Sequence, residues 1–525
     1  MIPSVDARSV APGAAGTPSD VAAVATGTTP TVPGRRPDAR LVAAVATGTT
    51  LNPINSSMIA VALVPIAAAF GAGTSTSTWL ISGFFLAAAV GMPLMGRIAD
   101  LFGPKRTFVS GLVLVGVSSA VAVVAPTFAV LVLCRVGMAF GTSTAYPSGL
   151  AIFRARDPHG TAPAGALAIL GIASSVVAAL GPVLGGILVG TTGWQGIFLI
   201  NVPAVAIGLV IALRWLPPDP PAPAGARVRS LGDVRSLLDT VDAIGVVLFA
   251  VLIVGLLAFV LTLPTGPQPL LLGAAIVSGA LFVMRELAAA TPFVDLRLLA
   301  RNRALIWIYA QFAGVNLVFY GVFFGLPIWL EEVRGFSAAA AGPLLLPLAG
   351  IGILATPFAA RIVSRRGPGP AIVIGSVALL AGTILLLGFN DSTPVIVIVA
   401  AGAVLGIPTA FNNLGLQAGL YEATPAGLMG TASGQFQTFR YVGAIAASAI
   451  IGIGFSPVPT SAGLDELAVV FVAVSAALVV ASIAGARLTR RRATVVETIA
   501  GDAPQAADGG AALPAAEEAG AHETA

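Results

Sequence analysis

Long apolar runs, separated by short polar or glycine- and proline-containing breaks, fill the chain from about residue 41 to residue 486. They fall near 41–68, 78–99, 107–125, 128–153, 163–190, 195–216, 241–263, 267–285, 303–330, 337–363, 370–388, 393–419, 429–455 and 464–486. A bilayer core about 30 Å thick is crossed by roughly 20 apolar residues of helix. The runs do not alternate apolar and polar positions as barrel strands do. Helices are therefore predicted, since backbone groups in lipid must pair within their own segment. The pattern predicts an all-α polytopic membrane protein with fourteen spans, numbered 1 to 14 in chain order.

Composition agrees. Of 525 residues, 57% are apolar and only 10% charged, with a mean hydropathy of +0.95. A soluble domain carries about 25% charged residues, so lipid must solvate much of this surface. Of the 27 lysines and arginines, all but Arg135, Arg334 and Arg440 lie in the tails or in alternate loops. That bias places those loops and both termini in the cytoplasm and requires an even number of spans. The pI near 9.7 thus reflects membrane orientation, and no nucleic-acid partner is expected. Residues 1–40, rich in Ala, Gly, Pro and Thr, read as a disordered tail without a cleavable signal peptide, and 487–525 as a second one. Cys134 is the only cysteine, so no intrachain disulfide is expected, and His159 with His522 makes no plausible metal site. No cofactor is implied.

The chain repeats itself. "GRIADLFGPK" at 96–105 and "ARIVSRRGPG" at 360–369 share Arg, Ile, Gly and Pro in register at an offset of 264. The same offset carries span 1 onto span 9, span 4 onto span 12 and span 5 onto span 13. Two six-helix halves, 41–216 and 303–486, then flank an inserted helix pair with its linkers at 217–302. Repeated halves with a site between them are how alternating-access transporters are built.

Four stretches resemble the major facilitator superfamily, and its fourteen-span drug–proton antiporters in particular. "GRIADLFGPKRT" resembles the loop 2–3 signature at Gly96, Ile98, Asp100, Gly103, Lys105 and Arg106, departing from it at Leu101 and Pro104. "LGPVLGGIL" is similar to the span 5 antiporter signature, with Gly181, Pro182, Gly185 and Gly186 in place. "WQGIFLINVP" (194–203) and "TPFVDLRLLARNR" (291–303) resemble the entries to spans 6 and 9 of the fourteen-span family. The resemblance covers about 40–490 and implies transport of small organic compounds, mostly outward and driven by protons. It also implies that the 96–106 patch latches the two halves in one conformation. Asp100 has the right chemistry to cap a neighbouring helix and pair with an arginine. The bland reading is a solvated, positively charged loop. The second-half copy has Ser364 in place of Asp100.

Arg135 and Arg440 are the only basic residues placed within the membrane, the others inside the run bounds sitting at their cytoplasmic ends. A mid-membrane arginine costs roughly 2.5–3.5 kcal/mol on insertion scales, so each should face the bundle interior and find partners. "LCRVGMAFGTS" resembles the superfamily's R-x-x-Q-G signature at Arg135, with Met138 where the glutamine would stand. Arg135 can tune an acid, bind an anionic substrate, or simply donate to backbone carbonyls. Span 1 of fourteen-span relatives often carries an acid where this chain has Asn55. No Asp or Glu lies in the middle of any predicted span, which leaves Asp100 and Glu331 as coupling candidates. The cavity then reads as neutral or positive. Its polar candidates are Asn52, Asn55, Ser56, Thr142, Asn316, Tyr320, Asn412, Asn413, Gln417, Gln437 and Tyr441, since unpaired amides in lipid are costly. The glycines and proline of span 5 suit either a leak-tight seam between halves or ordinary small-residue packing.

An enzyme is disfavoured. A P-loop needs Gly-Lys-Ser/Thr, and the single lysine, Lys105, follows Pro104. The expectation is a secondary transporter, a proton-driven exporter of a lipophilic neutral or anionic compound, with a proton-coupled importer and a transport-inactive membrane sensor as alternatives. Its expected partners are a small molecule, protons and the lipid bilayer, with no obligate protein partner.

Overall fold

Helices form where the apolar runs predict them. The computed structural model describes residues 38–156, 164–219, 242–263, 266–289, 292, 294, 296–424 and 429–501, and no strand occurs among them. Span 1 is a bent pair, Ala39–Val61 and Leu63–Phe70. Spans 2 to 6 are Thr74–Phe102, Pro104–Val123, Phe128–Arg156, Gly165–Thr192 and Gly196–Trp215. The inserted spans 7 and 8 are Ala243–Thr262 and Pro269–Ala288. Spans 9 to 14 are Arg303–Glu332, Ala338–Arg366, Pro368–Leu386, Val395–Ala423, Ala432–Gly454 and Ser461–Gly485. Thirteen are single helices, and the bent pair makes fourteen.

Two boundaries differ from expectation. Span 1 bends by 65° after a 3-10 turn at Ile59–Val61. Pro53 contributes no amide hydrogen, and the hydroxyls of Ser56 and Ser57 donate back to its carbonyl at 3.1 and 2.6 Å. Such back-bonding loosens the ladder ahead of the turn, and Pro65, four residues past Val61, has no amide hydrogen to give the Val61 carbonyl, which places the break at Ala62. At the other end, the last helix runs Ser461–Gly501, past the point where the sequence suggests a solvated tail. Most of both expected tails, with His159 and His522, lies outside the described residues.

The repeat is visible in the backbone. Gly103 (φ 98°) and Gly367 (φ 77°) end spans 2 and 10 in conformations that favour glycine. Pro104 and Pro368 then open spans 3 and 11 at the first helical turn, where a missing N–H costs nothing.

The basic loops lie at one end of the bundle, here called the basic end, and Arg334 lies at the other. The halves share a core at the Arg334 end. There Ile59, Leu63 and Phe84 of the first half pack in one cluster with Phe324, Trp329 and Ile451 of the last. Ser75 donates to the Gly452 carbonyl at 2.8 Å, and the hydroxyls of Ser82 and Ser448 lie 2.5 Å apart. At the basic end each half also has a core of its own, beside a third cluster that joins Val90 of span 2 to Phe249 and Phe282 of the inserted pair and to Tyr309, Phe312 and Phe436 of the last half. Leu41, Phe108, Phe153 and Leu216 belong to the first half alone, and Ala359, Ala371 and Phe411 to the last alone.

The inserted pair lies over one seam between the halves. Span 7 touches span 2 and span 13, and Leu261 packs against Gly452. Phe249 and Phe282 join spans 7 and 8 with ring centroids 5.7 Å apart. At the basic end Asp242 accepts from the Gly245 amide at 3.3 Å, capping span 7, and from Arg285 Nε at 2.8 Å. Glu286 accepts from the Val294 amide at 2.9 Å, tying span 8 to the segment that enters span 9.

Candidate functional site

Within the first half the polar residues pair with one another. Asn55 of span 1 and Asn201 of span 6 exchange side-chain hydrogen bonds at 2.9 and 2.8 Å, both buried. Asn55 also donates to the Leu51 carbonyl at 2.8 Å. Its donors and acceptor are therefore committed inside the half, and Asn55 is a structural member of spans 1 and 6 rather than a cavity residue. Asn52, half-buried, donates to Thr142 Oγ1 at 3.1 Å and ties span 1 to span 4.

Arg135 is 1% exposed. It donates through Nε to the Leu80 carbonyl at 3.3 Å and through one terminal nitrogen to the Asn55 carbonyl at 2.9 Å. Its guanidinium lies 4.3 Å from the centre of the Phe84 ring. The Asn55 carbonyl belongs to the last regular turn before span 1 bends, where the ladder loosens and a carbonyl is available. Arg135 thus knits spans 1, 2 and 4 together, as the carbonyl-bonding reading requires. It presents no charge to an open space.

The last half differs. Arg440 of span 13 is half-buried. One terminal nitrogen donates to Tyr320 Oη at 3.0 Å, while its Nε is buried without a partner among the described residues. Tyr320 sits in an aromatic cluster that crosses to the first half. Phe85 of span 2 lies 4.9 Å from the Tyr320 ring, 5.7 Å from Tyr441 and 6.0 Å from Phe324. Asn316, one turn along span 9 from Tyr320, is buried and donates to the Phe312 carbonyl at 2.8 Å. Gln437 is half-buried, one turn from Arg440.

Span 12 splits the remaining amides. Asn413 and Gln417 are exposed, Asn413 donating to the Thr409 carbonyl at 2.6 Å. Asn412 is fully buried against Gly375 of span 11. It lies between spans 11 and 12, with both polar atoms of its amide unpartnered among the described residues. Glu331, at the Arg334 end of span 9, is half-buried with one carboxylate oxygen unpartnered among the described residues.

The 96–106 patch is built otherwise than expected. Asp100 is exposed, and no hydrogen bond or ion pair links it to a helix end or an arginine among the described residues. The cap comes from Asp219, just past span 6. Its carboxylate accepts from the backbone amides of Lys105 and Arg106 at 2.7 and 3.0 Å, an N-terminal cap on span 3. Lys105 reciprocates, donating through Nζ to the Leu213 and Leu216 carbonyls at 3.0 and 2.7 Å at the C-terminus of span 6. Gly103 permits this, since a Cβ there would stand 2.5 Å from Asp219 Cγ. Arg106 lies 3.9 Å from Asp219 with its side chain 74% exposed, a pair worth little. Gly96 faces Pro147 of span 4. Every one of these contacts lies within the first half or the start of the linker that leaves it.

Span 5 does meet the other half. A Cβ on Gly186 would stand 2.5 Å from the Ala338 carbonyl oxygen, and one on Gly342 would collide with the Pro182 carbonyl. Gly181 and Gly185 instead admit Ser57 and Met58 of span 1. Only part of the glycine stripe is therefore an inter-half seam. A separate cavity of about 300 Å³ lies within the first half, lined by Thr50, Ile54, Val177 and Asn201 among others, away from Arg440.

Residues outside the sequence-derived set include Asp219, Asn201, Ser82 with Ser448, and Gln311. Gln311 donates to Ser376, Ser482 and the Leu478 carbonyl, joining spans 9, 11 and 14. Asn201 lies inside the quoted "WQGIFLINVP", and its amide was the available signal. Asp219, set in a run of prolines, gave none.

Comparison with known proteins follows the same lines. The profile described as Major Facilitator Superfamily matches residues 45–448. The chain is 37% identical over 424 residues to an uncharacterized MFS-type transporter, YwoD, of Bacillus subtilis, covering 80% of this chain and 91% of that one. It is 27% identical to the multidrug resistance protein Stp of Mycobacterium tuberculosis (76% and 72% covered). It is 28% identical to the tetracenomycin C resistance and export protein of Streptomyces glaucescens, again with 76% and 72% covered. Among solved structures, a bacterial homolog of the human lysosomal transporter Spinster, inward-facing and unoccupied, superposes with a TM-score of 0.59 at 15% identity, covering 86% of this chain and 98% of that one. At that identity the likeness shows the fold.

Proposed function

The chain belongs to the major facilitator superfamily and is a transporter rather than an enzyme, and on that premise we propose that it exports a lipophilic neutral or anionic organic compound, driven by protons, through alternating access. The observation that carries this reading is the asymmetry of the core. The halves share one core at the Arg334 end, whereas at the basic end each also has a core of its own, with one cluster around Val90 of span 2 bridging to the last half. With the basic loops cytoplasmic, the site opens inward, as an exporter needs for loading. The charge inventory favours neutral or anionic cargo, because no acid lies in the middle of any span and Arg440 is half-buried between them. The drug and antibiotic resistance names of the relatives support outward transport.

The test is retention of fluorescent lipophilic compounds in an efflux-deficient host. Collapse of the proton gradient raises retention, whereas ATP depletion with the gradient clamped does not. One elementary charge moved across 100 mV gains about 2.3 kcal/mol, enough for roughly fiftyfold accumulation. Efflux that persists under full uncoupling, with no opposing substrate gradient, rules out proton drive. Tags at residues 20 and 510 that label from outside would overturn the inward placement of the basic end.

A further inference from the structure

Resting on the transport reading, we propose that Arg440 and Tyr320 form the binding site for the carboxylate of an amphiphilic organic acid. A guanidinium inside a membrane protein is costly unless an anion or several carbonyls take its donors. Among the described residues no carboxylate lies within ion-pair distance of Arg440. Its Nε has no acceptor there, and one terminal nitrogen reaches only the Tyr320 hydroxyl. Arg135 shows the contrast. Equally without an acid, it is sealed from solvent and satisfied by two carbonyls and a ring face.

Arg440 is also reachable. Gly434, Gln437 and Arg440 stand at i, i+3 and i+6 along span 13, and a Cβ on Gly434 would meet no described atom within 4 Å. Open space beside Gly434 lies on the basic side of Gln437, and Gln437 and Arg440 are both half-buried along the same strip. An arginine fork matches a carboxylate in two parallel hydrogen bonds, and the Tyr320 hydroxyl can donate to the same group while accepting from Arg440. Phe319, half-buried with its ring centroid 5.3 Å from that of Tyr320, offers an apolar surface for the body of the acid.

The purified full-length protein in nanodiscs is tested with anthracene carboxylate and anthracene carboxamide, followed by ligand fluorescence. The two probes share size and rings and differ in charge. Wild type binds the carboxylate about tenfold or more tighter than the amide, the range expected for hydrogen bonds to a charged group. Arg440→Gln removes the preference, Arg440→Lys keeps part of it, and Tyr320→Phe weakens the acid about fivefold. Equal binding of the two probes by wild type, no binding of either, or a preference that survives Arg440→Gln overturns the site. Arg440-dependent acid binding without flux in proteoliposomes would instead sink the transport reading and leave the site standing. Flux of neutral compounds without the acid preference would do the reverse.

Discussion

Asn55 and Asn201, 146 residues apart, face each other across spans 1 and 6 and exchange two amide hydrogen bonds. The pair is closed and neutral, and it stands where an acid is often found in the fourteen-span relatives that the sequence resembles. Removing one partner leaves the other amide buried and unsatisfied, which costs about 1–3 kcal/mol. Asn55→Leu and Asn201→Leu should each lower the melting temperature of the purified protein. The double variant should recover much of the loss, since two apolar groups can replace both partners. Additive losses in the double variant would show that the amides do not act as a pair.

Asp219 and Asp100 make opposite predictions. Asp219 accepts two backbone amides at the start of span 3, and loss of such a cap costs about 1–2 kcal/mol. Asp219→Ala should therefore melt earlier than wild type. Asp100 is exposed and carries no cap or ion pair among the described residues. Asp100→Asn should leave the melting temperature unchanged. If Asp100 latches the halves, it does so in the opposite conformation, and the same variant then slows flux. Unchanged flux at wild-type expression would remove the gating role.

The Gly186 seam leaves no room for a methyl group. Gly186→Ala forces a Cβ onto the Ala338 carbonyl, and overpacking of that kind costs typically 1–3 kcal/mol. The expected result is a folded protein whose Arg334 end no longer closes. A cysteine introduced by Ala338→Cys, at a buried position, should resist an impermeant maleimide in the parent. In the Gly186→Ala background it should label readily, and equal labelling rates would show that the seam is not what closes this end.

The helices were legible because lipid imposes one simple rule on length and polarity, and every expected span has a counterpart in the fold. The 65° bend in span 1 was not legible in size, because Pro65 marks only where the ladder loses a donor, and Pro93 and Pro182 sit inside spans that stay single helices. The arginines were legible as anomalies but not in their roles. What satisfies Arg135 is backbone, at Leu80 and Asn55, and a carbonyl has no letter in the sequence. The setting of Asn412 was not legible because an amide reads the same on either face of a helix, and only the packing of span 12 on Gly375 shows what it lies against. Asp219 was overlooked because its capping role depends on spans 3 and 6 ending side by side. Arg440 fared best, since a lone charge in an apolar run draws notice whatever surrounds it.

The inserted pair makes the two flanks of the molecule unequal. Span 7 touches span 2 on one half and span 13 on the other, so it lies along the join like the spine of a book. The opposite join, where span 5 meets span 10 through Gly186 and Gly342, has no such binding among the described residues, and Leu180 and Ile187 of span 5 stand exposed there. Halves that rotate against each other must slide over the spine, whereas at the fore-edge only the contact of span 5 with span 10 has to part. A solute dissolved in the leaflet therefore meets a covered edge on one side of the protein and a bare one on the other.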